Sequence, residues 1–317
     1  MFSRLFFAIA FLSLAELSSA AYHPVNATIV VNAETGEVIY SYNADLKTQP
    51  ASLAKMMTLL LAFKALQRKK ISLTTKIPIS AYAASQKPSI LGLKSGEFIT
   101  VQNAILALIV KSANDIAVAL AEYLGKTEKS FVCMMNKEAQ RLGMSSTIFF
   151  NASGWKDPRQ VTTARNMAKL SCALINEYPA YYHFFASRQF DINGKSIKGH
   201  YALLGQRGDV NVDGIKTGFV NASRYNVAAS ASKNGKRLVA VVLGGRTSKG
   251  RDELASLLLQ KGFLKLRNRE LVRKLESAKS STIVAAAKAL STQKTEPPLA
   301  ATVAPVMGIY NKIGKLN

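Results

Sequence analysis

Pro50-Ala51-Ser52-Leu53-Ala54-Lys55-Met56-Met57-Thr58 is the stretch on which the reading of this 317-residue chain turns. Proline suits a first helical position, where its missing N–H would have no partner anyway. Ala51 to Gln67 then carries Leu53, Met56, Met57, Leu60, Leu61 and Leu66, a broad apolar face at helical spacing. Ser52 and Lys55 stand three apart at the first turn, so hydroxyl and amine share a face. The helix N-terminus also favours negative charge developing at the serine. Alone the pair is a weak signal, because a chain with this much Ser and Lys yields such matches by chance.

Outward from this helix the chain sorts into strands at both ends and helices between. Ala27 to Val31 and Glu37 to Tyr40 are β-rich runs joined at Thr35-Gly36 as a hairpin. A Pro- and Gly-marked loop covers roughly 78 to 97, and Thr100 starts a helix over Val101 to Val110. Helical patterns follow over Asp115 to Leu124, Glu128 to Leu142 and Thr163 to Asn176. Strand patterns return at Asn211 to Lys216, Tyr225 to Ser232 and Lys236 to Leu243, with Asn234-Gly235 as a strong hairpin signal. A helix over Asp252 to Leu266 closes the compact part. The fold class is therefore α+β: one antiparallel sheet built from N- and C-terminal strands, with a helical middle region.

Two further short motifs lie downstream. Ser112-Ala113-Asn114 precedes a helix, where Ser and Asn also serve as plain caps. Lys216-Thr217-Gly218 lies in or just after the strand from Asn211. Strand alternation puts Lys216 and Gly218 on one face, and Gly218 would let a ligand's backbone approach closely. Together S-x-x-K, S-x-N and K-T-G, spaced by about 60 and about 100 residues, form the signature set of penicillin-binding proteins and serine β-lactamases. Their surroundings are closer still. Lys111 to Ala117, Val212 to Gly218, Thr163 to Ala168 and Val241 to Gly244 resemble the low-molecular-mass D-alanyl-D-alanine carboxypeptidases, over about residues 25 to 264.

The resemblance implies a serine β-lactamase/DD-peptidase fold and a serine-type D-Ala-D-Ala carboxypeptidase acting on peptidoglycan stem peptides. Ser52 would be the nucleophile and Lys55 its base; Ser112 would pass a proton to the leaving amine. Asn114 would bond the acyl part of the substrate. Lys216, Thr217 and Gly218 would line the binding strand, and the N–H groups of Ser52 and Phe219 would form the oxyanion hole. Arg251 matches the arginine thought to hold the terminal carboxylate. A base must be neutral, and free lysine titrates near ~10.4. Lowering it to ~7–8 takes about 4 kcal/mol, which a second ammonium about 4 Å away supplies at an effective dielectric near ~20. Lys216 facing Lys55 is thus large enough to do it, with burial adding to the effect. β-Lactam antibiotics would be covalent inhibitors, and no cofactor or metal is implied.

The chain departs from the pattern in places. Phe219 stands where relatives often have a small polar residue or His, which bears on how the carboxylate side is filled. Asn151-Ala152-Ser153-Gly154-Trp155 resembles a loop credited with deacylation but lacks the His some relatives carry. A β-lactamase would share the nucleophile, yet no glutamate sits in a convincing E-x-x-x-N setting. A catalytically weak wall-binding module is the other alternative, against which three intact motifs argue.

The ends and the composition set the context. Arg4, the apolar stretch Leu5 to Leu14 and the small residues Ser18 to Ala21 read as a signal peptide over 1–20. Ten apolar residues are too few for a span of about 20, so the expectation is export to the periplasm or the outer face of the cytoplasmic membrane. Residues 21–266 form the expected catalytic domain. A formal charge of +23 favours polyanions; for an exported chain without a nucleic-acid-binding signature, nucleic acid is excluded as a partner. His23, His183 and His200 are scattered and read as surface or half-buried residues, and Cys133 and Cys172 as buried thiols or a disulfide. From 267 to 317 the chain is basic and reads as a low-complexity tail or linker. Within it Val303, Val306, Met307, Tyr310, Ile313 and Leu316 fall at helical spacing, a short stripe suited to an anionic membrane surface.

Overall fold

The computed structural model describes residues 25–205 and 210–292, with side chains to 277. The expected signal segment and the stripe from Val303 to Leu316 lie outside the described residues. The chain divides into two units that meet between Lys265 and Leu266.

In the first unit, β1 (Ala27–Asn32) and β2 (Val38–Tyr42) form the N-terminal hairpin. A 3-10 turn (Ala51–Ala54) leads into α1 (Lys55–Gln67). Next come β3 (Lys76–Pro78), α2 (Ala81–Ala84), β4 (Phe98–Thr100) and α3 (Val101–Leu106). A π turn (Ala107–Lys111) precedes α4 (Asn114–Gly125), followed by α5 (Glu128–Arg141), α6 (Ala164–Glu177) and α7 (Pro179–Tyr182). The C-terminal strands are β5 (Gln189–Ile192), β6 (Lys195–Lys198), β7 (Asn211–Val220), β8 (Arg224–Lys233) and β9 (Lys236–Gly245), and α8 (Ser248–Thr292) follows.

The main sheet has five antiparallel strands in the order β2-β1-β9-β8-β7, so the first and last strands of the chain meet in its middle. The α+β expectation holds. Side chains decide which helices stay inside. In α1 nearly every residue from Lys55 to Leu66 is buried, an apolar surface all round rather than the single face expected from spacing. Phe63 on it stacks on Tyr181 with centroids 5.4 Å apart and meets Phe185 edge-on. The expected loop over 78–97 contains α2, and its flanks pair as β3 and β4. The β5–β6 hairpin was not foreseen at all. Cys133 and Cys172 are both free, and Cys133 is exposed. It falls off the buried stripe of α5, which is Phe131, Met135, Glu138 and Ala139.

The closing helix does not stop at Leu266 as expected. α8 runs on to Thr292, through a stretch that composition assigned to a linker. Its Ala, Leu, Lys and Arg residues are good helix formers, and no Gly or Pro stands between Gly262 and Pro297 to stop it.

Candidate active site

Ser52 is held in a strained corner. Ala51 before it has φ of +50°, outside the usual range for a residue with a Cβ. Gly154 packs against that corner so closely that a Cβ there would stand 1.8 Å from the Ala51 carbonyl oxygen. The loop carrying Gly154 is clamped in turn: Thr58 Oγ1 donates to the Ala152 carbonyl at 2.7 Å, and the Ala152 N–H donates to Glu128 at 2.9 Å.

Lys55 lies below Ser52 with no exposed surface. Its Nζ is 2.7 Å from Asn114 Oδ1, 2.6 Å from the Ser153 carbonyl oxygen and 3.1 Å from Ser52 Oγ. Asn114 Nδ2 donates to the Lys87 carbonyl at 2.8 Å, which fixes the amide so that its oxygen faces the lysine. A neutral amine has two hydrogens and one lone pair. Its hydrogens then go to Asn114 and Ser153, and the lone pair is left for the Ser52 hydroxyl. Burial pushes the Lys55 amine well below its ordinary value, and the Lys216 charge lowers it further. The sequence argument ranked these in the reverse order. Desolvation leads because the amine is wholly enclosed.

Ser112 ends the π turn with φ of +59° and ψ of 36°, and the helix cap falls on Ala113 rather than on the serine. Its hydroxyl oxygen is buried and has no hydrogen-bond partner among the described residues. A loop over this corner is tied down by Asp115, whose carboxylate accepts from the N–H groups of Leu91 and Gly92. Ser89 Oγ, on the same loop, donates to the Lys111 carbonyl at 2.9 Å.

The facing wall is β7, which runs through the K-T-G motif rather than ending at it. A Cβ on Gly218 would lie 3.1 Å from the Ser52 nitrogen, so glycine lets the strand close on the serine turn. Between the two walls is a cleft of about 440 Å³. Ser52, Ser112, Asn114, Thr217, Gly218, Phe219 and Arg251 all line it, and none of the described residues lining it is acidic.

A family profile described as D-alanyl-D-alanine carboxypeptidase matches residues 15–247. The chain belongs to this family. It is 36% identical over 243 residues to D-alanyl-D-alanine carboxypeptidase DacC of Escherichia coli K12, covering 75% of this chain and 60% of that protein. Penicillin binding protein 5 from Haemophilus influenzae superposes with a TM-score of 0.74 at 32% identity, over 78% of this chain and 73% of that one. Penicillin-Binding Protein D2 from Listeria monocytogenes, solved in an ampicillin-bound form, gives 0.66 at 31% identity, over 75% and 97%. The chain spans 60–64% of the length of the first curated relatives it matches.

Within this D-alanyl-D-alanine carboxypeptidase fold, two of the nine site residues named from sequence lie beneath the cleft rather than on it. Lys55 is one. Lys216 is the other: it is 2% exposed, its Nζ donates to the Thr217 carbonyl at 3.0 Å, and burial followed by the Arg251 charge brings it down to about 7. Arg251 is buried, not a solvated arginine at a helix start. Its Nε donates to Asp252 at 2.8 Å and a terminal N–H donates to the Asn226 carbonyl at 2.9 Å. Phe219 is half exposed and packs on Tyr225 with centroids 4.5 Å apart.

Sequence reasoning missed two residues of the site. Asn226, fully buried, ties its walls together: Nδ2 reaches the Gln49 carbonyl at 3.3 Å, Oδ1 accepts from the Gly244 N–H at 2.9 Å, and its carbonyl holds Arg251. An Asn inside an apolar strand was the available signal. His200 is on the surface, as expected, but at the cleft mouth, with Nε2 3.4 Å from Thr217 Oγ1. Nothing in its local sequence marks it.

Proposed function

We propose that this protein is a serine-type D-alanyl-D-alanine carboxypeptidase that removes the terminal D-alanine from peptidoglycan stem peptides. The observation that carries this reading is the wiring of Lys55, whose fixed acceptors leave its lone pair for Ser52. Ser52 Oγ attacks the carbonyl carbon between the two D-alanines and its proton passes to Lys55. The oxyanion is met by the N–H groups of Ser52 and Phe219. Ser112 then relays a proton to the nitrogen as the C–N bond breaks, D-alanine leaves and an ester on Ser52 remains. Water adds to that ester as Lys55 takes its proton, the bond from the acyl carbon to Ser52 Oγ breaks, the proton passes from Lys55 to Ser52 Oγ, and the shortened peptide is released.

Arg251 and Thr217 suit the terminal carboxylate, and the cationic surroundings of Lys216 and Lys111 favour an anionic substrate. Penicillins present a strained amide and a carboxylate to the same groups, so they acylate Ser52. The described residues that line the cleft include no acidic side chain, which supports peptidase over β-lactamase action, since none of them offers a carboxylate to drive fast hydrolysis of a penicilloyl ester. Export by the N-terminal segment, and a weak hold on anionic membrane by the C-terminal stripe, belong to the same proposal. Among the described residues no helix is long and apolar enough to cross a membrane.

Release of D-alanine from a synthetic acyl-D-Ala-D-Ala peptide, followed beside the intact mass after penicillin, tests the reading. D-Alanine release together with a single penicilloyl adduct is expected. An adduct without D-alanine release would point to a wall-binding module, and rapid loss of the adduct with catalytic penicillin hydrolysis to a β-lactamase.

A further inference from the structure

A second chamber, about 300 Å³, adjoins the catalytic cleft, and His200 and Thr217 stand on the boundary, lining both. The chamber has Lys216 and Arg188 on its walls and, like the cleft, no acidic residue among the described residues that line it. His200 follows β6 on an exposed stretch, yet its Nε2 lies 3.4 Å from the hydroxyl of Thr217, which is itself buried. We propose that His200 is a positioning residue: it sets the direction of the Thr217 hydroxyl, and so couples binding of the substrate's terminal carboxylate to the uptake of one proton. This rests on the function proposed above.

The Thr217 hydroxyl has one hydrogen and two claimants, the His200 ring and a carboxylate in the cleft. When His200 is neutral, Nε2 can be an acceptor and take that hydrogen. When His200 is protonated, Nε2 can only donate, and the hydroxyl hydrogen turns to the carboxylate. Among the described residues, the charged groups around the ring are Lys216 on β7, Arg251 on α8, Lys111 at the end of the π turn and Arg188 on the chamber wall. Asp252 is engaged by Arg251. Partial desolvation of the ring at the cleft mouth and the charges of Lys216, Arg251 and Lys111 lower the pKa of His200, which favours the neutral ring in the free protein. An arriving carboxylate offsets those charges and raises the ring's affinity for a proton. Coupling is reciprocal, so a protonated ring binds the carboxylate more tightly by the same factor.

Binding to the full chain carrying Ser52→Ala, which removes the chemistry, reads this directly. The probes are an acyl-D-Ala-D-Ala peptide and its C-terminal amide, titrated between pH 7.5 and ~5, a range in which a terminal carboxylate stays ionised. Between pH ~6.5 and ~5 the acid should bind about three- to tenfold more tightly, and the amide should not change. Adding His200→Gln should flatten the acid's profile in that window, leaving the separate step near pH 7 that belongs to Lys216. His200→Arg, a permanent cation, should bind tightly with no slope between pH ~6.5 and ~5. A slope between pH ~6.5 and ~5 that survives His200→Gln, or one shared there by the amide, overturns the proposal. If the wild type releases no D-alanine at any pH, it is the function reading that fails, whatever the binding arms give.

Discussion

The two walls of the cleft treat their polar groups differently. On the helical wall Lys55 and Asn114 are bonded to each other and to backbone carbonyls, and Lys55 meets the Ser52 hydroxyl. On the sheet wall Phe219 is exposed and Thr217 has one long contact to His200, and beside that wall Arg251, at the start of α8, uses two of its five N–H donors on Asp252 and Asn226. The helical wall is therefore preorganised for one proton transfer, whereas the sheet wall keeps donors for a ligand. Loss of a group on the first wall should act on the chemical step, and loss on the second on substrate affinity.

The largest effect should come from Ser52→Ala. Acylation by penicillin and D-alanine release should fall by about four orders of magnitude or more while the thermal transition stays put. A mass shift with penicillin in the folded variant would remove Ser52 from the mechanism. Next in size is the sheet wall. Arg251→Gln, made with Asp252→Asn so that no lone carboxylate stays buried, should raise KM for an acid-terminated peptide about 10- to 100-fold, from the ~1.5–3 kcal/mol of a charged hydrogen bond. The kcat should move little; if kcat fell instead, the division between the walls would be wrong.

Lys216→Gln tests the link between them. The base is neutral above its own pKa, and Lys216 holds the Lys55 pKa down, so removing that charge raises it. The acid limb of the acylation profile should then move to higher pH, slowing acylation along that limb. The shift stays modest because burial, the larger cause, is untouched. An unmoved limb would mean that the lysines do not communicate. Smallest is Phe219→Ser. The ring rests on Tyr225 and only the backbone N–H of residue 219 is proposed to act, so steady-state acylation should change by less than about threefold. A larger change would show that the side chain itself fills the carboxylate side.

Most of this division was legible beforehand, for a physical reason. Strand and helix periodicity placed Ser52, Ser112 and Lys216 on three elements, and the motif order brought them together. Turn chemistry was legible too: Asn234 and Gly235 both take positive φ, as a tight hairpin needs. The π turn before Ser112 was not, because Ala107 to Lys111 reads as ordinary helix until packing forces the register. The burial of the lysine pair was legible only as a lesser contribution, whereas Lys55 is wholly enclosed and desolvation leads. His200 and Asn226 act through tertiary neighbours alone, and α8 outran its expected end because composition was read where helix propensity decided.

Pairing of Ala27 with Leu243 joins strands 216 positions apart in the sequence. During synthesis β1 and β2 emerge first, and a lone hairpin is marginal in water. At about 5–20 residues per second, β9 follows roughly 10–40 s later. Until then the β1 edge has no neighbour on that side and Ser52 has no facing wall. The nucleophile is made early in the chain's life, and a working cleft exists only once the last strand has been laid down.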